Sequence, residues 1–282
     1  MDPPLLVLGA ISALLSAATQ AVAHALLKSG RDKLVVRGLI GFVGLVVMAP
    51  VAWVAPSPEG ITGWLAASAG LHALYQLVLI RAYEAADFST AYPLARGVAP
   101  LATTVLGAWL LGEQLSGTSA LGVGVTTSGF VCLVAGARLR PAGVVAAVTA
   151  GLLTAAYTWV DAQGVRLAPA PMTFIAWFFV CDGVVMSSLA LLTRGRRIVS
   201  LVRHEGRSGT IAGLASLLTY GAALVALRLL PVGVASALRE TSVVFGVLVA
   251  RGLLRETVGW RRAAGALLVA CGGLLVLVGL HR

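Results

Sequence analysis

Arg96 and Arg239 each stand inside a long apolar run, in AYPLARGVAP and GVASALRETSVV. A guanidinium grips a carboxylate or phosphate through parallel N–H donors. Burying one at the centre of a bilayer costs at least about 2.5–3.5 kcal/mol on insertion scales, so such a residue is read first as functional. Glu240 adjoins Arg239, and Asp182 lies near the middle of another apolar run. A carboxylate in that setting is suited to holding a proton or an amine. The competing expectation is that Arg239–Asp182 or Arg96–Glu240 are buried ion pairs that only fix helix packing.

A second set of polar residues recurs at helical spacing. Gln20 and His24 are four apart; His72, Tyr75 and Gln76 are three and four apart; Tyr92 and Arg96 are four apart. Residues so spaced share a helix face. Tyr157, Thr158 and Asp161 fall in one further apolar run and Tyr220 in another. Singly, each His or Tyr is a packing residue; clustered on common faces they predict a lined cavity. The expected substrate-binding set is Gln20, His24, His72, Tyr75, Tyr92, Arg96, Tyr157, Asp161, Asp182, Tyr220, Arg239 and Glu240. Cys132, Cys181 and Cys271 lie singly, without metal or redox spacing, so no metal or other cofactor is expected. There is no paired-Asp motif, nucleotide-binding glycine loop or zinc-protease signature, so an intramembrane enzyme is disfavoured.

The elements that hold these residues follow from composition. Of 282 residues, 59% are hydrophobic and only 11% charged. A soluble chain of this length would carry roughly 70 charged side chains. Such a surface needs lipid as its solvent, which excludes a soluble enzyme or a cytosolic binding module. A membrane-crossing helix needs about 20 mostly apolar residues. Spans are expected at roughly 4–27, 34–54, 61–82, 89–111, 117–137, 141–163, 171–193, 207–229, 231–253 and 258–280, with prolines at several of the cuts. Of the 21 basic residues, 16 fall with alternate connections, including Arg37 with the first, and only Arg166, Arg228 and Arg282 lie on the opposite side. By the positive-inside rule the 16-residue side is cytoplasmic and both termini face outward. The net charge of +10 is therefore assigned to loops and not to nucleic acid. Trp64, Trp159, Trp177 and Trp260 are candidate interfacial anchors.

The chain also repeats itself. A shift of 143 residues pairs Arg96 with Arg239, Leu111-Gly112-Glu113 with Leu254-Arg255-Glu256, Gly122 with Gly265 and Gly129 with Gly272. A shift of 138 pairs Leu14–Ala18 with Leu152–Ala156. Two units are expected, 1–138 and 139–282, each of five spans. Because five is odd, the second enters the membrane upside down, an inverted repeat of the kind that places a substrate site near the midplane. The fold class expected is thus all-α, with ten transmembrane helices in two inverted five-helix repeats. Ala120-Gly124-Ser128 and Ala266-Ala270 mark spans five and ten as scaffold, or as the contact of a homodimer.

The segments AYPLARG (91–97), Leu-Gly-Glu (111–113), Leu-Arg-Glu (254–256), HALYQLVLIRAY (72–83), AAYTWVDAQGVR (155–166) and ALRETSV (237–243) resemble the EamA-type branch of the drug/metabolite transporter superfamily. The resemblance covers essentially the whole chain. It implies a proton-coupled or facilitated exporter in a bacterial cytoplasmic membrane, with a small-molecule substrate and the lipid bilayer as partners. Relatives often carry Trp or Asn where this chain has Thr19-Gln20 and His24. The substrate expected is a small zwitterionic or anionic, amino acid-like metabolite, moved by alternating access. The alternative is a lipid-linked sugar flippase or its subunit.

Overall fold

Proline and aspartate set where many of the helices begin. The computed structural model describes residues 3–85, 88–112, 116–134, 141–252, 255 and 259–279, and no strand occurs among the described residues. The helices are α1 (Pro3–Ser29), α2 (Lys33–Val54), α3 (Thr62–Ala85), α4 (Phe88–Gly97), α5 (Ala99–Leu111), α6 (Gly117–Val134), α7 (Pro141–Leu167), α8 (Pro171–Arg194), α9 (Ile198–Leu229), α10 (Val232–Arg239), α11 (Ser242–Gly252) and α12 (Trp260–Gly279). Pro3, Pro141 and Pro171 open α1, α7 and α8, where a missing N–H is harmless. Asp32 caps α2, accepting from Val35 N at 3.1 Å.

Six helical segments are long and apolar enough to cross a membrane: Pro4–Ser29, Lys33–Val54, Thr62–Ala85, Pro141–Leu167, Pro171–Leu229 and Val232–Val249. Leu94–Gly107, Gly117–Leu133 and Ala263–Val276 are shorter apolar helices. Large apolar side chains point outward, Trp53 and Leu192 among them. This is an integral, multi-pass membrane protein.

Two expected spans prove discontinuous. The fourth, expected over 89–111, is broken between α4 and α5, and the ninth, expected over 231–253, between α10 and α11. At the first break Pro100 has no N–H for the carbonyl of Arg96, and its ring crowds that carbonyl. No proline stands at the second. There Thr241 N and Thr241 Oγ1 both donate to Leu238 O, and Val243 N donates to Glu240 O, so tighter turns replace the α-helical ladder. The eighth expected span is longer than read, since α9 begins at Ile198.

The neighbours are α6 with α12, α2 with α8, α1 with α9 and α3 with α7. Glycines let α6 and α12 touch at the backbone. A Cβ on Gly122 would sit 2.7 Å from Gly272 O, and one on Gly129 would sit 2.8 Å from Gly265 O. Spans five and ten thus pack on each other within one chain, but through Gly122, Gly129, Gly265 and Gly272 and not through the Ala120-Gly124-Ser128 stripe read from sequence. Ala266 is buried, whereas Ala120, Gly124 and Ser128 are exposed. Of the Leu-Gly-Glu pair, Glu113, Leu254 and Glu256 lie outside the described residues, as does Arg282.

Candidate functional site

Helices α1, α2, α3, α7, α8, α9 and α10 enclose a polar cavity of about 70 Å³. At about 10–15 Å³ per water centre, that is room for roughly five waters. Eight of the twelve expected site residues line it: Gln20, His24, His72, Tyr75, Tyr157, Asp182, Tyr220 and Arg239. The shared faces read from spacing hold on α1 and α3, where Gln76 also reaches the cavity.

Arg239, in the last turn of α10, is buried and donates from Nε to Ser16 Oγ at 3.1 Å. Among the described residues it has no carboxylate partner. Gln20 and Gln76 each carry a buried side-chain oxygen with no hydrogen-bond partner among the described residues. The cavity wall therefore offers a cation with free donors and amide groups with free acceptors. Aromatic rings form the rest. His72 stacks on Tyr157 with centroids 3.9 Å apart, and Phe178 lies 4.2 Å from Tyr220.

Four expected residues lie elsewhere. Arg96 does not face the cavity. It closes a two-point ion pair with Glu240, Nε to Oε2 at 3.0 Å and Nη2 to Oε1 at 2.6 Å. Both are buried, at the broken ends of α4 and α10. Tyr92, expected on the cavity face with Arg96, donates to Ser242 Oγ at 2.9 Å. Asp161 sits behind the wall, wholly buried, accepting from Ser68 Oγ at 2.5 Å and from the Tyr220 hydroxyl. His72 Nε2 lies 3.1 Å from both Asp161 Oδ2 and Tyr220 Oη, which connects that carboxylate to the cavity.

Of the two ion pairs weighed from sequence, Arg96–Glu240 is present and Arg239–Asp182 is not. Asp182 instead takes Arg37 Nη2 at 2.6 and 2.8 Å. Arg37, assigned from sequence to a charged connection, is a buried residue of α2 that lines the cavity. It was passed over because it sits one turn past Lys33, inside a cluster of cations. Ser216, Thr219, Phe178 and Phe179 also line the cavity and were missed. Ser216, Thr219 and Tyr220 share one face at spacings three and four, a pattern that was there to be read.

The cavity is fastened differently at its two ends. On the side of the α7 and α9 C-termini, Arg166 donates to Leu227 O and Leu230 O, and Arg228 donates to Val165 O and Ala168 O. Each helix thus caps the last carbonyls of the other. At the opposite end Arg194 binds Asp32 at 2.6 Å, and Arg31 N donates to Glu205 at 2.9 Å. Burial alone would raise the Asp32 carboxyl, but Arg194 and the backbone of Val35 outweigh it and hold it below the usual carboxylate value.

Residues 141–278, the second half of this scaffold, match the model of the EamA-like transporter family. That half is an EamA-type unit. The match supports a transporter of the drug/metabolite superfamily. A solved structure described only as a crystal structure of a protein aligns over 100% of this chain and 99% of its own, with TM-score 0.74 and 17% identity. At that identity the likeness shows the fold alone. No curated protein matches.

Proposed function

We propose that the chain is a secondary carrier that exports a small zwitterionic, amino acid-like metabolite from a bacterial cytoplasm by alternating access. The observation that carries this reading is Arg239, a buried cation in the cavity wall with no carboxylate on it among the described residues. A substrate carboxylate completes that arginine, and a substrate ammonium completes the free acceptors of Gln20 and Gln76. The volume of about 70 Å³ favours a small solute over a lipid-linked sugar headgroup.

Ten crossings in two inverted repeats, 1–138 and 139–282, form the framework of the proposal. The nine apolar segments become ten when Pro171–Leu229 is divided at the Gly195–Arg197 turn into α8 and α9. Helices α5 and α11 begin 143 residues apart, matching the sequence shift. Gly122 meets Gly272 while Gly129 meets Gly265, and the same shift exchanges one contact with the other. That reciprocity is what a two-fold relation between halves requires. Paired discontinuous helices beside the site are typical of inverted-repeat carriers.

Within this proposal Asp161 is the proton-binding group, reached from the chamber through His72. Flux of labelled amino acids in proteoliposomes tests both parts. Arg239→Ala is expected to lower flux at least tenfold while the protein still purifies and inserts. Asp161→Asn is expected to retain downhill exchange and lose its response to an imposed pH gradient. Full flux in Arg239→Ala overturns the substrate site; an unchanged gradient response in Asp161→Asn overturns the proton site.

A further inference from the structure

A second cavity, of about 290 Å³, opens on the outer surface between α2, α8 and α9, away from the polar chamber. Its walls are apolar: Val35, Leu39 and Phe42 from α2, Leu191 from α8, Ile198 and Val202 from α9. The groove exists because α2 and α8 approach at small residues. A Cβ on Gly38 would lie 2.7 Å from Ala190 Cβ, and one on Gly183 would lie 2.5 Å from Gly41 O. The bulky side chains flanking that contact stand apart, and the start of α9 forms the third wall.

Both stripes that line the groove end at the same polar point. On α2 the positions 35, 38, 39 and 42 run from the cap Asp32; on α8 the positions 191, 190 and 187 run back from Arg194. Asp32 and Arg194 meet there at 2.6 Å. Immediately beyond come Arg196, Arg197 and Arg203, all exposed. The one acid in this stretch, Glu205, is buried and committed to Arg31 N. Glu84 adds one acid beside Arg194, which three exposed arginines outnumber. An apolar trench with a net cationic head is complementary to an acyl chain bearing a negative headgroup.

We propose that this groove binds one anionic phospholipid, its acyl chain along α2 and α8 and its phosphate held by Arg196, Arg197 and Arg203. The site is independent of the transported solute. Native mass spectrometry of the purified full-length chain, titrated with dioleoyl phosphatidylglycerol or dioleoyl phosphatidylcholine, tests it. The anionic lipid is expected to form a one-lipid adduct at about tenfold lower concentration than the zwitterionic one. The combined change Arg196→Ala, Arg197→Ala, Arg203→Ala is expected to erase that preference. Val202→Trp fills the trench and is expected to remove the adduct without lowering the unfolding temperature; Leu191→Trp, entering from α8, serves if the first variant does not fold. Equal binding of the two lipids by the unaltered chain overturns the proposal. So does an undiminished adduct in a folded trench-filling variant.

Discussion

Arg96 and Arg239 are equivalents under the 143-residue shift, yet Arg96 is neutralised by Glu240 while Arg239, among the described residues, has the hydroxyl of Ser16 as its hydrogen-bond partner. One guanidinium therefore holds two broken helices together across the halves, and the other faces the chamber. The asymmetry comes from the residue after the arginine, Gly97 in one half and Glu240 in the other.

This division predicts opposite consequences for the two sites. Removing one partner of a buried pair leaves an uncompensated charge and costs about 3–5 kcal/mol. Glu240→Ala is thus expected to lower the unfolding temperature strongly, and the joint change Arg96→Met, Glu240→Met to recover most of the loss. Thermal unfolding in detergent measures both. Comparable stability in Glu240→Ala and the unaltered chain would show that the pair is not structural.

Much of the framework was legible in the sequence, because lipid imposes long apolar runs and puts a high cost on buried charge. Hydrophobicity located the helices, and helical spacing placed Gln20 with His24 and His72 with Tyr75 on the chamber. Hydrophobicity says nothing about where a helix breaks. The expected fourth and ninth spans therefore read as continuous, and Arg96 was assigned to the chamber when the break at Pro100 turns it toward Glu240. Pairing across the bundle is equally hidden: Arg37 and Asp182 lie 145 residues apart. Only packing reveals that Arg37 belongs to the interior.

The 143-residue shift also relates two backbone conformations. Gly112 and Arg255 are 143 residues apart, and both are left-handed, with φ of 64° and 53°. Glycine adopts that region freely, whereas another residue is penalised by about 1–2 kcal/mol. Arg255→Gly is expected to raise stability by roughly 1 kcal/mol, and Gly112→Ala to lower it by about as much. Denaturation of the two variants side by side checks this. A loss of stability in Arg255→Gly would contradict the shared conformation.

Acid should loosen the end of the bundle where Asp32 meets Arg194. The folded carboxyl is held below the ordinary value of 3.8, so its contribution is fully present above that pH and is lost as pH falls through the lower folded value. Unfolding temperature is expected to drop across that acidic window in the unaltered chain, and the drop to be smaller in Arg194→Ala. Identical pH profiles would remove the pair from the account.

The most direct measurement concerns the chamber itself. In a chain with Cys132, Cys181 and Cys271 replaced by alanine, Ser216→Cys places one thiol on the chamber wall. A membrane-impermeant maleimide is then applied to reconstituted vesicles from one side or the other. Labelling from either side, slowed by the transported solute, is the result that alternating access to a shared chamber predicts. A thiol that reacts from one side alone, or from neither, would contradict it.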